Sequence, residues 1–105
     1  MYIEFDKDYL QELFENGKSS DKKHRYQPEI VRGYQKAVYA LLYANSVTDL
    51  FPNKALNYEV LRGDKEGVSS VRINTKYRLE FTVRQVENEQ IITICRLLDI
   101  SNHYK

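Results

Sequence analysis

Apolar residues recur every three or four positions in the first half of the chain and alternate in the second. Leu10, Leu13 and Phe14 share one helical face, with Asp6 placed to cap the start of that helix and Gly17 placed for a left-handed C-terminal cap. In "PEIVRGYQKAVYALLYAN" the stripe Ile30, Tyr34, Ala37, Val38 and Leu41 predicts a second helix. Pro28 suits its first turn, and Gly33 in its middle weakens it without ending it. The opening "YIEF" alternates like a short strand, "KSSDKKHRYQ" is a polar connection, and the chain turns between Asn45 and Pro52.

Beyond Pro52 the period changes to two. "LNYEVL", "VSSVRI" and "YRLEFTVR" alternate, separated by the turn "GDKEG" and the tight connection "NTK". "VENEQ" forms a hairpin loop before "IITICRLL", whose nearly continuous apolar character predicts a central strand covered on both faces. Helices first and strands second predict an α+β fold: two N-terminal helices on one face of an antiparallel β-sheet, as a single domain over residues 1–105. Val71, Ile73, Tyr77, Leu79, Phe81 and Val83 share the parity that faces the helices, whereas Arg72, Arg78, Glu80 and Arg84 share the other. Glu59 has the parity of Asn57 and Leu61, opposite Leu56, Tyr58 and Val60, which puts it on the face of the arginines. Arginines on an uncovered sheet face are either ordinary solvated residues or a phosphate-binding pair, since the guanidinium fork matches phosphate oxygens.

Hydrophobic residues make up 42% of the 105 and charged residues 30%, a soluble globular profile with no apolar run long enough to span a bilayer. The acidic start lacks the basic and apolar segments of an export signal, and the only cysteine, Cys95, lies in an apolar run; a reducing cytoplasm is the expected setting. The net charge of +1 conceals a basic stretch: Lys18, Lys22, Lys23, Arg25, Arg32 and Lys36 against Asp21 and Glu29 alone. That stretch is either a solvated surface or a face for a polyanion, and His24 within it either contacts RNA or is simply hydrated. No spacing of His, Cys or acidic residues marks a metal site and no glycine-rich loop marks a nucleotide pocket, so no cofactor is expected.

The stretch "LNYEVLRGDKEGVSSVRINTKYRLEF" resembles the HigB-like branch of the RelE/ParE toxins of bacterial toxin-antitoxin systems. Members carry a basic residue before "GD..G", a segment like "S-I-R-V-N", and "[WY]-R-I-x-F"; the counterparts here are "RGDKEG", "SVRIN" and "YRLEF". The resemblance implies a type II toxin that is a ribosome-dependent endoribonuclease of messenger RNA, held by a HigA-like helix-turn-helix antitoxin. It carries Arg62 onto the basic position, Arg72 onto the arginine of the second segment and Arg78 onto the arginine after the aromatic residue. His103 and Tyr104 match the C-terminal site residues in type, although members end Asp-Tyr-His where this chain reads "NHYK". Some members also have a histidine where this chain has Glu59.

Metal-free RNA cleavage by the ribose 2′-hydroxyl needs a proton acceptor, a proton donor and positive charge at the phosphate. The expected catalytic set is Arg78 and Arg72 on the phosphate, Glu59 or His103 as base, and His103 or Tyr104 as acid or stacking platform. Arg62, Lys22, Lys23 and Arg25 are the expected RNA-binding residues. Two other readings keep the fold: a ParE-like gyrase inhibitor, and a non-catalytic RNA- or protein-binding module.

Overall fold

The computed structural model describes residues 1–87 and 89–102. Five strands, β1 (Tyr2–Phe5), β2 (Glu59–Val60), β3 (Ser69–Arg72), β4 (Arg78–Glu87) and β5 (Ile91–Ser101), form one sheet in the order β1-β5-β4-β3-β2. Helices α1 (Asp8–Asn16) and α2 (Pro28–Tyr43) supply the apolar layer on one face. The predicted α+β architecture is therefore present, with one refinement: β1 runs parallel to β5, so the sheet is mixed. The helical excursion between β1 and the other strands permits that parallel pairing, which no tight hairpin could make. Among the described residues no helix is long and apolar enough to cross a membrane.

The helical periodicities translate directly into burial. Leu10 and Leu13 of α1 and Ile30, Tyr34, Ala37, Val38 and Leu41 of α2 are buried, and the Tyr34 hydroxyl ties the helices by donating to the Leu10 carbonyl at 2.6 Å. Gly17 closes α1 at φ +77°, its N–H donating to Leu13 at 3.1 Å. Asp6 does not cap α1. Its N–H continues the β1 ladder to the Leu97 carbonyl and its carboxylate pairs with Arg96, leaving Lys7 at the N-cap with no side-chain cap. Gly33 has a reason beyond propensity: a Cβ there would stand 2.7 Å from the Ile73 carbonyl oxygen, so only glycine lets α2 lie this close to the end of β3.

On the helix side of the sheet Val71, Leu79 and Phe81 are fully buried, and Ile73, Tyr77 and Val83 pack against them, as the alternation requires. Each full burial of this kind contributes roughly 1.5–3 kcal/mol. β5 is internal but is not covered on both faces: Cys95 and Leu97 face the core, whereas Ile92 and Ile94 on the other parity are only half-buried. A bulge puts Glu80 opposite Asp99 and Phe81 opposite Leu97, skipping Leu98, so that Leu97 and Ile100 both point into the core although they are three residues apart.

The run "LNYEVL" departs most from its predicted alternation. Leu56 closes a short 3-10 turn (Lys54–Leu56), Asn57 adopts a left-handed conformation at φ +44°, and only Glu59 and Val60 are strand. Val60 is accordingly 61% exposed instead of facing the core with Leu56. Asparagine is one of the few residues with a side chain that tolerates this backbone region.

Candidate functional site

The outer face of the sheet is not uniformly open. Near β2 and β3 the chain from Leu56 to Glu66 closes over β4, and the two β4 residues beneath it, Arg78 and Glu80, are each only 6% exposed. Arg78 Nε donates to Ser70 Oγ at 2.9 Å, while Nη2 donates to the Ser70 carbonyl at 3.2 Å and to the Asn57 carbonyl. The fully buried Ser70 thus serves Arg78 with both its hydroxyl and its backbone oxygen. Glu80 is paired with Lys65 at 2.8 Å, a contact that draws the Gly63–Lys65 turn onto the sheet. Buried charges persist in proteins when paired and hydrogen-bonded in this way.

Glu59 approaches from β2. Its register opposite Ser70 brings Oε2 to 3.9 Å from Arg78 Nη2, with the side chain half exposed to solvent. Arg72 lies directly opposite Arg78 in the β3–β4 ladder and is exposed, bordering a cleft that it shares with Lys36 and Gly33. Glu59 and Arg78 therefore meet, with Arg72 across the ladder from Arg78 and bordering the cleft beside α2. What parity did not reveal is the burial of Arg78 and Glu80, because it depends on a loop crossing from another part of the chain.

Arg62, at the start of the Gly63–Lys65 turn, is exposed and lines a small cleft with Val60, Glu66 and Gly67. Lys22, Lys23 and Arg25 are exposed in and beside a 3-10 turn (Lys22–His24) that Asp21 caps by accepting from the Lys23 N–H at 2.9 Å. His24 between them is not a simple solvated residue. Its ring stacks on Tyr9 with centroids 3.6 Å apart, and Nδ1 lies 2.8 Å from Asp21 Oδ2. The hydrogen bond with His24 holds the Asp21 carboxyl below its usual range.

Tyr9 in turn accepts from the Ile100 N–H at 3.0 Å and donates to Asp99, occupying the β5 edge beyond the end of β1; burial, reinforced by the Asp99 bond, pushes its phenol far up. Tyr26 packs edge-on against Tyr77 at 5.6 Å, the residue before Arg78, and burial pushes its phenol up to about 12. These aromatic contacts bring the basic loop to the same end of the sheet as Arg78. They were invisible in the sequence, where the loop has no apolar period.

His103 and Tyr104 lie outside the described residues, beyond Ser101, which pairs with Arg78 in the β4–β5 ladder. Among the described residues no group of three or more His, Cys, Asp or Glu is placed to hold a metal ion. Sequence reasoning also missed Ser70 and Asn57 as the supports of Arg78. Asn57 carried a signal, an asparagine near the start of "LNYEVL" that tolerates a left-handed backbone, whereas Ser70 carried none.

Residues 3–99 match the HigB-like toxin family, described as RelE-like toxins of type II toxin-antitoxin system HigB. Among solved structures, the YoeB/ParE toxin from Agrobacterium tumefaciens is similar over 99% of this chain and 100% of its own, with 16% identity and a TM-score of 0.60. YafQ from E. coli strain BL21(DE3) is similar over 96% of this chain and 91% of its own, with 12% identity and a TM-score of 0.53. At these identities the two structures show a shared fold. No curated protein sequence matches the chain significantly. A family match covering residues 3–99 of 105, joined to this fold, establishes that the chain belongs to the HigB-like family of RelE-like toxins of type II toxin-antitoxin systems.

Proposed function

We propose that this toxin is a ribosome-dependent endoribonuclease of messenger RNA. The observation that carries the reading is the convergence of Glu59 with Arg78, 3.9 Å apart, with Arg72 directly across the ladder. A carboxylate beside a guanidinium group, with a second arginine across the ladder, suits in-line attack by a ribose 2′-hydroxyl. Glu59 takes the hydroxyl proton as the O2′–P bond forms, and Arg78 and Arg72 stabilise the charge that builds on the phosphate oxygens. The P–O5′ bond then breaks with a proton supplied to the departing oxygen, for which His103 and Tyr104 are the proposed donors; the products are a 2′,3′-cyclic phosphate and a 5′-hydroxyl. A half-exposed Glu59 can reach solvent and substrate, whereas Arg78 is held in place by Ser70 and Asn57, so the charge that receives the phosphate costs little reorganisation.

Arg62, Lys22, Lys23 and Arg25 hold the RNA or ribosome backbone in this reading, consistent with their exposure. The partner that silences the toxin is a HigA-like helix-turn-helix antitoxin, and the setting is the cytoplasm. The family supports an antitoxin partner, since its members are toxins of type II toxin-antitoxin systems.

The test is primer extension on a defined messenger RNA incubated with purified protein, with and without translating ribosomes. Wild type is expected to cut within codons only when ribosomes are present, and Glu59→Gln is expected to cut about 10²–10⁴-fold more slowly, the range for loss of a general base. Intact message with wild type, together with inhibited DNA supercoiling by gyrase, would replace this reading with a gyrase-directed one.

A further inference from the structure

A cleft of about 480 Å³ opens beside Asn57, lined by Phe51, Asn53, Lys54, Asn57 and Tyr58. Its volume falls in the range of roughly 300–1,000 Å³ typical of small-molecule sites. Phe51 is 58% exposed although it is one of the larger apolar side chains, and its ring lies 5.6 Å from that of Tyr58, inclined at 43°. Tyr58 is anchored in turn: its hydroxyl is 2.9 Å from Ser69 Oγ and its ring packs 6.3 Å from Phe81 in the core. The exposed ring therefore stands on a rigid aromatic support.

Asn57 joins this cleft to the arginine. It is the only non-glycine residue with positive φ among the described residues, and that conformation turns its carbonyl onto Arg78 Nη2 while the residue itself lines the cleft. Strained backbone of this kind persists where the surroundings demand it, and functional sites are where it concentrates. An aromatic platform, two carboxamides and one ammonium group, set a single residue away from a phosphate-binding arginine, match the parts of a nucleotide. Unpaired RNA bases are recognised by stacking on aromatic rings and by hydrogen bonds along their edges, for which Asn offers both a donor and an acceptor.

We propose that this cleft seats a nucleobase adjoining the scissile phosphate, stacked on Phe51 and read along its edge by Asn53 and Asn57, with Lys54 meeting the neighbouring phosphate. The inference rests on the endoribonuclease reading above and adds a base-selecting subsite to it.

The probe is an RNA oligomer with 2′-O-methyl at the cleavage position and a single 2-aminopurine on its 5′ or its 3′ side, placed in the decoding site of programmed ribosomes. Addition of wild-type toxin is expected to quench the fluorescence at one of the two positions, and Phe51→Ala is expected to abolish that quenching. On cleavable message Phe51→Ala should lower kcat/KM on the order of tenfold, as loss of one aromatic stack does. Phe51→Trp should restore most of it. Asn57→Gly, which keeps the left-handed backbone and its carbonyl, should alter the distribution of cut codons. Unchanged urea unfolding of Phe51→Ala, expected for so exposed a side chain, separates the effect from misfolding. Quenching and cleavage by Phe51→Ala equal to wild type would overturn the subsite while leaving the nuclease intact; absence of cleavage by wild type would instead remove the reading on which it rests.

Discussion

Arg78 and Arg84 leave the same strand on the same face, six residues apart, and end in opposite environments. Arg84 is 54% exposed and donates to the Glu4 carboxylate at 2.9 Å, within a surface lattice in which Glu4 and Asp6 also hold Arg96. Arg78 is 7% exposed in its side chain, and its hydrogen bonds to Ser70 and Asn57 go to neutral oxygens, with the Glu59 carboxylate at 3.9 Å. A charge matched by carboxylates in water is electrostatically quenched and contributes little to stability or to the field around it. A charge held in a buried, hydrogen-bonded setting acts through a lower local dielectric, so its attraction to the Glu59 carboxylate and to an incoming phosphate is stronger than at the open surface. Position on the strand is shared, and the covering loop makes the difference.

The sharpest way to break this comparison is Arg78→Ala. It is expected to slow ribosome-dependent cleavage by about 10²–10³-fold, as removal of a transition-state donor does. It should also lower stability by about 3 kcal/mol through the buried oxygens left without a donor, measured as the shift of the urea midpoint. Arg78→Lys, which keeps the charge and loses the fork, should recover less than half of the lost activity, because a point charge cannot reproduce bonds to Ser70 and Asn57 together. An Arg78→Ala protein as active as wild type would move the phosphate site elsewhere.

Gly33→Ala presses on the same end of the sheet from the opposite face. A helix-propensity gain of up to about 1 kcal/mol favours alanine there. The Cβ placed 2.7 Å from the Ile73 carbonyl, a backbone atom that cannot swing aside, opposes it. The net expectation is destabilisation of about 1–3 kcal/mol in urea unfolding. A more stable Gly33→Ala protein would mean that α2 can withdraw from β3 without cost.

The smallest effect belongs to Arg84→Ala, expected to leave both the cleavage rate and the urea midpoint within measurement error at neutral pH. Its residual contribution has a defined sign. The hydrogen bond from Arg84 holds the Glu4 carboxyl below its usual range, so any stabilisation is present above the unfolded-state value and fades as pH falls through the folded one. Any gap between wild type and Arg84→Ala, followed by thermal unfolding, should therefore close as pH falls below the ordinary carboxylate range.

Much of the fold was legible because period alone fixes which face is buried. Leu10 and Leu13 in α1, the Ile30 to Leu41 stripe in α2 and the Val71, Leu79 and Phe81 set in the sheet all point where their spacing requires. Legibility failed where the backbone breaks period. Asn57 interrupts "LNYEVL" with a left-handed residue, and the bulge at Leu98 shifts the parity of β5; both arise from contacts remote in sequence. Asp6 shows a related failure, since a residue suited to cap a helix was claimed by the β1–β5 ladder and by Arg96.

By itself the sequence determined the two-helix and sheet architecture and the family motif, because these follow from local spacing. Only the tertiary structure decided that Arg78 is buried while Arg84 is not, that His24 is stacked on Tyr9 and that Asn57 both holds the arginine and lines a cleft. The physical reason is common to all three. Solvent exposure and hydrogen-bond partners at these positions are set by segments remote in sequence, such as Asn57 on Arg78 and Glu4 on Arg84, and no local pattern encodes which loop will cross which strand.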